Sequence, residues 1–495
     1  MESTNKKTAR RFFPFALLIL AIGLACTCNG LSLVSTPTPM PPIPQPSPPT
    51  QEQPPTQDPT ALNPSAPWMI IGSTDGLWAA NPDGSGMQKL VAGDQWQSDF
   101  SRAIQPKGNL VVLITSGADQ YHQLALNLLS MPDGSLQKIT DLSNSQSEPA
   151  PGEGPGSAAM EAMRAISEQS SYAWSPDGTR LAFIGAMDGT SADVYLYDLN
   201  SGSITRVSTD PSQDFWPSWS PDGNSLLFFS ADGFGTGAGL VMNGAWSAEG
   251  DGSNVTLLYR PTSSGEEMVG WRDNQTAVLE SWSPVDGLSH LRLYDLKTMQ
   301  MTSIQEGPVS AAVADAGNLV PSTDPGALLF GQETGLFILS SNQNQLAQLS
   351  ENRVSSVRWN RDSSMFEVEF LDGSLATFLS DGSHRQEAPA VISEAGFGIT
   401  RVAMYSLIWA WTADTDNLSG TWISGPGLDI PQIFDGPANA PLWDPHNNLT
   451  FFSGNTLYRV TFDSHYSDAG PVANISGEVV DASWVGAGSF DIYGP

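Results

Sequence analysis

The chain has 495 residues, with 21 Lys and Arg against 52 Asp and Glu, a formal net charge of −31. That excess of negative charge argues against binding to phosphate backbones and against docking on anionic headgroups through a basic face. Only two cysteines occur, Cys26 and Cys28, so the rest of the chain folds without a disulfide, a thiolate zinc site or a cysteine nucleophile.

The first segment reads as an export signal spanning residues 1–28. Lys6, Lys7, Arg10 and Arg11 precede the apolar run from Phe12 to Cys26, and a basic stretch followed by about fifteen apolar residues is the secretory pattern. A spanning helix needs about 20 such residues, so the run is short for one. Leu24-Ala25-Cys26 resembles the end of a bacterial lipoprotein signal, in a compressed form with Gly23 where a leucine is expected. Cys26 is therefore the expected lipid anchor, holding the protein on a membrane face by its N-terminus.

Residues 29–67 follow as a Pro- and Thr-rich stretch, with thirteen prolines in the 31 residues from Pro37 to Pro67. This composition cannot bury a core and favours extended polyproline II. At about 3.1 Å per residue it would act as a disordered stalk reaching roughly 95 Å.

Strand-forming segments begin at Trp68-Met69-Ile70-Ile71, Gly76-Leu77-Trp78-Ala79 and Met87-Gln88-Lys89-Leu90. A unit at Ile104-Gln105-Pro106-Lys107-Gly108 leads into Leu110-Val111-Val112-Leu113-Ile114. Then comes the best-formed repeat: Trp174-Ser175-Pro176-Asp177-Gly178, followed by Leu181-Ala182-Phe183-Ile184, returns 45 residues later as Trp219-Ser220-Pro221-Asp222-Gly223 with Leu226-Leu227-Phe228-Phe229. Proline presets the second position of a tight turn, Asp bonds nearby backbone, and Gly accepts positive φ. The first of these units continues with Val194 to Leu199 and Ile204 to Val207, giving four short strands per period. Degenerate copies sit at Trp271, Trp359 and Trp443, with fainter ones around Val313 and Val402.

The run Asp214-Phe215-Trp216-Pro217-Ser218-Trp219-Ser220-Pro221-Asp222-Gly223, followed by Phe229-Ser230, resembles the WD-like repeats of TolB-type propellers. The resemblance implies an all-β fold, a single β-propeller of four-stranded blades over residues 68–495. A proline-rich stretch stands where TolB carries a small α/β domain, so TolB's partner, the peptidoglycan-associated lipoprotein, is not carried over. Nine units can be counted, near 104, 174, 219, 271, 313, 359, 402, 443 and 484. Propellers usually have four to eight blades, so eight is the favoured number within a range of seven to nine. Ala482-Ser483-Trp484-Val485 reads as an inner strand whose missing partners are supplied by the N-terminal strands, closing a ring.

One segment breaks the period. The gap from Ile104 to Trp174 is 70 residues, and the excess, roughly 145–170, ends in the helix-favouring stretch Ala158 to Ile166. It reads as a tolerated surface insertion in preference to a functional lid.

Signals for chemistry are sparse. His122, His290, His384, His446 and His465 show no metal-ligand spacing, and no nucleophile elbow or phosphate-cradling loop occurs. Asp414 to Gly420 mimics a calcium loop, but Leu418 falls on a ligand position, so it reads as a polar turn. The Asp-Gly pairs at 83–84, 133–134, 372–373 and 381–382 read as hairpin turns. No catalytic, metal or cofactor residue is assigned. The expected role is an extracytoplasmic binding or scaffolding module, monomeric, whose partner is an envelope protein or glycan. The competing reading is an enzyme acting on a polysaccharide at the channel mouth.

Overall fold

The computed structural model describes residues 61–486 apart from short stretches between elements, the longest being 314–326 and 389–399. Cys26, the export signal and most of the proline-rich stretch lie outside the described residues. Within them the strands sort into nine four-stranded antiparallel sheets that follow one another along the chain. The sequence count had settled on eight. The faint units around Val313 and Val402 each have a full sheet, at 309–350 and 400–434.

Every sheet but the first runs from an inner to an outer strand in chain order, as in the third sheet: Tyr172–Trp174, Arg180–Gly185, Asp193–Asp198, Ser203–Arg206. First strands of successive sheets lie side by side, for example Thr400–Tyr405 against Asn439–Trp443, and the latter against Val479–Val485. This is a β-propeller.

Its strands are apolar on both faces because both faces are covered. In the first sheet, Trp68, Ile70, Leu77 and Ala79 join the core that contains Val111 and Leu113 of the second sheet. The alternate residues Met69, Ile71 and Ala80 pack instead with Phe452 and Leu457 of the last sheet. A two-residue period thus sends successive side chains of one strand into two different interfaces. The seventh sheet repeats the device. Phe366, Val368 and Phe370 face the sixth sheet, while Met365 packs with Trp409 and Trp411 of the eighth.

The first and last strands close the ring. Trp68 pairs with Val485, Met69 with Trp484, Ile70 with Ser483 and Ile71 with Ala482, so the first sheet combines three N-terminal strands with one C-terminal strand. Asp75 reinforces the seam. Its carboxylate accepts hydrogen bonds from Lys89 Nζ at 2.8 Å, from Trp78 Nε1 at 3.3 Å, and from the hydroxyls of Ser73 and Ser476. The Lys89 and Ser476 bonds hold it well below the usual carboxylate range.

The repeat motif accounts for the contacts between neighbouring sheets. Trp174 Nε1 donates to the Ala103 carbonyl at 2.9 Å, Trp219 Nε1 to Ala173 at 3.0 Å, and Trp484 Nε1 to Trp443 at 2.9 Å. Trp271 Nε1 donates to Ser218 Oγ at 3.1 Å. Each indole reaches back to the preceding unit, to the motif tryptophan position or the residue just before it. Arg180 lies over the Trp219 ring, 5.0 Å from its centroid, and donates to the carbonyls of Gly223 and Gly250. The turns are those expected: Gly178 and Gly223 have φ of 71° and 68°, with Asp177 Oδ1 and Asp222 Oδ1 accepting backbone N–H bonds two residues on. The four Asp-Gly pairs form similar tight turns, their glycines all at positive φ.

The inner strand of the second sheet is only Trp96–Gln97, followed by the one-turn helix α1 (Phe100–Ala103), which buries Phe100 and Ala103. One local departure from the sequence reading stands out. The insertion is more than a surface addition. Its helix α2 (Ala158–Ser167) buries Ala159, Ala162, Met163, Ala165 and Ile166, and packs on strands Arg180–Gly185 and Gln213–Trp219. Those positions recur at helical spacing, giving one apolar face that joins the main core.

Trp174 and Trp219 are 2% and 1% exposed, so replacing either with Ala should lower the unfolding free energy by ~3–5 kcal/mol. Phe in their place should cost less, since the ring is kept and one hydrogen bond is lost. Denaturant titration measures both, and an Ala variant of unchanged stability would mark the residue as an exposed platform.

Candidate functional site

Of the four carboxylates buried among the described residues, Glu367 and Asp444 lie apart, while Asp193 and Asp214 meet at the junction between the third and fourth sheets. Strand Asp193–Asp198 begins there, strand Ser203–Arg206 ends there, and strand Gln213–Trp219 starts the next sheet. Asp193 and Asp214 are both fully buried. The short connection from Arg206 to Gln213 brings the two carboxyl groups to the same end of neighbouring sheets.

Backbone and side chains interlock across this junction. The Asp214 N–H donates to the Ala192 carbonyl at 2.8 Å, and the Ala192 N–H donates to Gln213 Oε1 at 2.6 Å. Ser208 Oγ accepts the Val194 N–H at 2.8 Å and bonds Asp214 Oδ2. Arg206 Nη2 meets Asp193 Oδ2 at 2.8 Å, while its Nε donates to the Ser208 carbonyl at 2.9 Å. Ser191 Oγ donates to Asp193 at 3.4 Å, and Tyr195 OH donates to Asp188 Oδ2 at 3.2 Å.

The electrostatics follow from burial with too little positive charge. Burial pushes the Asp193 carboxyl up to about 6, against the opposing pull of Arg206. Burial raises Asp214 well above the usual carboxylate range, with Asp193 and Asp210 adding like-charge repulsion and Ser208 and the Val194 N–H acting the other way. Burial also raises the Tyr195 phenol, helped by Asp193 and Asp188.

Chemically this arrangement is adhesive. Ser208 lies beside a carboxylate, as a nucleophile would, yet it is buried and its oxygen is already held by a backbone N–H. A nucleophile needs a base and access to a substrate, and burial denies Ser208 the access. Among the described residues no group of three or more His, Cys, Asp and Glu is placed to hold a metal ion. Of the histidines, His122 Nε2 lies 3.3 Å from the Pro149 carbonyl, and His384 sits in a turn at φ 54°. Asp414 pairs with Ser419 across a hairpin, while 415–417 lie outside the described residues. The junction also shows what sequence reading missed. Asp214 is part of the quoted motif, but Asp193, Arg206 and Ser208 stood out only as polar residues beside apolar strands.

Comparison with known proteins adds context for the fold. No family model matches the chain. The uncharacterized peptidase YuxL of Bacillus subtilis is 41% identical over 54 residues, 11% of this chain and 8% of that protein. The uncharacterized protein Atu1656 of Agrobacterium fabrum is 30% identical over 107 residues, 20% of this chain and 34% of that protein. The chain thus spans about a third or less of the length of these relatives. Solved structures similar to it include TolB from Acinetobacter baumannii, with 15% identity, a TM-score of 0.32 and coverage of 66% of this chain and 63% of that one. Another is the β-propeller domain of the Trilobed protease from Pyrococcus furiosus, with 13% identity, a TM-score of 0.38 and coverage of 69% and 97%. The propeller assignment itself rests on the sheet order and the closing seam described above.

Asp193 binds its proton more tightly folded than unfolded, so its contribution makes stability fall as pH rises. The window runs from the unfolded value near 4 to the folded value of about 6. Melting temperatures measured across that range should show a downward component that Asp193→Asn removes. Arg206→Met, which withdraws the partner cation, should extend the decline to higher pH.

Proposed function

We propose that this protein is a binding or scaffolding module of the cell envelope, carried on a stalk and held at a membrane face through a lipidated Cys26. The observation that carries the binding reading is the engagement of its reactive side chains. The motif tryptophans bond the neighbouring sheet, the Asp-Gly pairs form turns, and the buried Asp, Ser and Arg groups tie two sheets together. A propeller built this way presents loops and strand ends as its working surface.

The location follows from sequence. A basic segment, an apolar run ending at Cys26 and thirteen prolines from Pro37 to Pro67 form the order signal, anchor and spacer. The acidic balance suits a soluble body standing off a membrane. A carbohydrate or protein of the envelope is the proposed partner.

Two measurements test this. Metabolic labelling with a fatty acid should mark the wild type and fail in Cys26→Ala, which should then leave the membrane fraction. Detergent-solubilised full-length protein should be retained by an envelope polysaccharide or protein without altering it. New chain ends in the polysaccharide would establish the competing reading, a lyase or hydrolase at the channel mouth.

A further inference from the structure

Asp214 combines burial with an unpartnered oxygen and no cation of its own. It is fully buried at the head of the fourth sheet, and its Oδ1 has no hydrogen-bond partner in the structure. Its Oδ2 meets only the Ser208 hydroxyl among side chains. The guanidinium at the junction, Arg206, is directed to Asp193 and to the Ser208 carbonyl. Other groups acting on this junction include the carboxylates of Asp188, Asp193 and Asp210, the phenol of Tyr195 and the Val194 N–H, which favours the Asp214 charge. Helix α2 packs on the same strand and carries two charges, Glu161 and Arg164, which lie 3.7 Å apart as an ion pair. A carboxylate buried among like charges, with the nearby cation engaged elsewhere, loses its charge sooner than its burial.

We propose that Asp214 is a neutral carboxylic acid in the folded protein at neutral pH, and that its ionisation in alkaline medium loosens the junction between the third and fourth sheets. The neutral acid fits its surroundings with the proton on Oδ2, which then donates to Ser208 Oγ, itself accepting the Val194 N–H. Loss of the proton leaves a charge facing Asp193 and Asp210 on the strand that also bonds Ala192 through its backbone. The proton is therefore part of the clamp. Because the folded state holds it more tightly than the unfolded chain does, the stability it confers is full below the unfolded value of about 4, declines as pH rises above that, and is gone once pH passes the folded value.

Infrared difference spectra of the full-length wild type and Asp214→Asn test this. At neutral pH the wild type should show a protonated carboxyl stretch that is missing in the variant. Raising the pH from about 4 should lower the wild-type melting temperature until this band vanishes, beyond which Asp214 adds no further decline. Asn is close in shape to the neutral acid, so Asp214→Asn should keep the melting temperature of the protonated protein and lack that decline. The proposal is overturned if no carboxyl band distinguishes the two proteins, or if the variant declines with pH as steeply as the wild type. Should Asp214→Asn fail to fold, Ser208→Ala decides the matter: loss of its hydrogen bond must shift the band, and an unshifted spectrum overturns the assignment.

Discussion

Everything in this protein depends on the pairing of Trp68–Ser73 with Val479–Val485. A single four-stranded sheet has two apolar faces and no means of covering either, so each sheet needs two neighbours. A row of such sheets would still leave two bare faces at its ends. The seam removes them by building the first sheet from both ends of the chain, with Met69 and Ile71 turned toward the last sheet and Trp68 and Ile70 toward the second.

The remaining interfaces are variations on that constraint, and the tryptophan motif is their recurring solution. A large ring fills the space between adjacent inner strands, and its N–H finds an acceptor on the previous unit. Where the motif weakens, other aromatic residues take over, as with Trp409, Trp411 and Trp422 against Met365, Leu375 and Leu379. At the junction of the third and fourth sheets a polar clamp is added, with two buried carboxylates, one arginine and one serine. Charged groups in such a place lend geometric definition more readily than net stability.

These features differ in how much of them a reader of the sequence can see. The class of fold, the turns and the packing role of Trp174 and Trp219 were legible, because each arises from local chemistry repeated at a fixed spacing. The faint sheets at 309–350 and 400–434 were harder to count, since they lack the Ser-Pro-Asp-Gly turn and keep only apolar runs. Helix α2 was visible as a helix, but its burial was not: Ala159, Ala162, Met163 and Ile166 form a modest apolar stripe, and what it meets is set by tertiary structure. The clamp was the least legible feature. Asp193 and Asp214 are 21 residues apart in sequence, and only the step from one sheet to the next makes them neighbours.

Native-state hydrogen exchange at the seam tests the account most directly. If the ring is held by its closure, the slowly exchanging amides of 68–73 and 479–485 should open only with global unfolding, sharing the denaturant dependence of the core strand Arg180–Gly185. Exchange of the seam amides through a smaller, local opening, while Arg180–Gly185 stays protected, would contradict it.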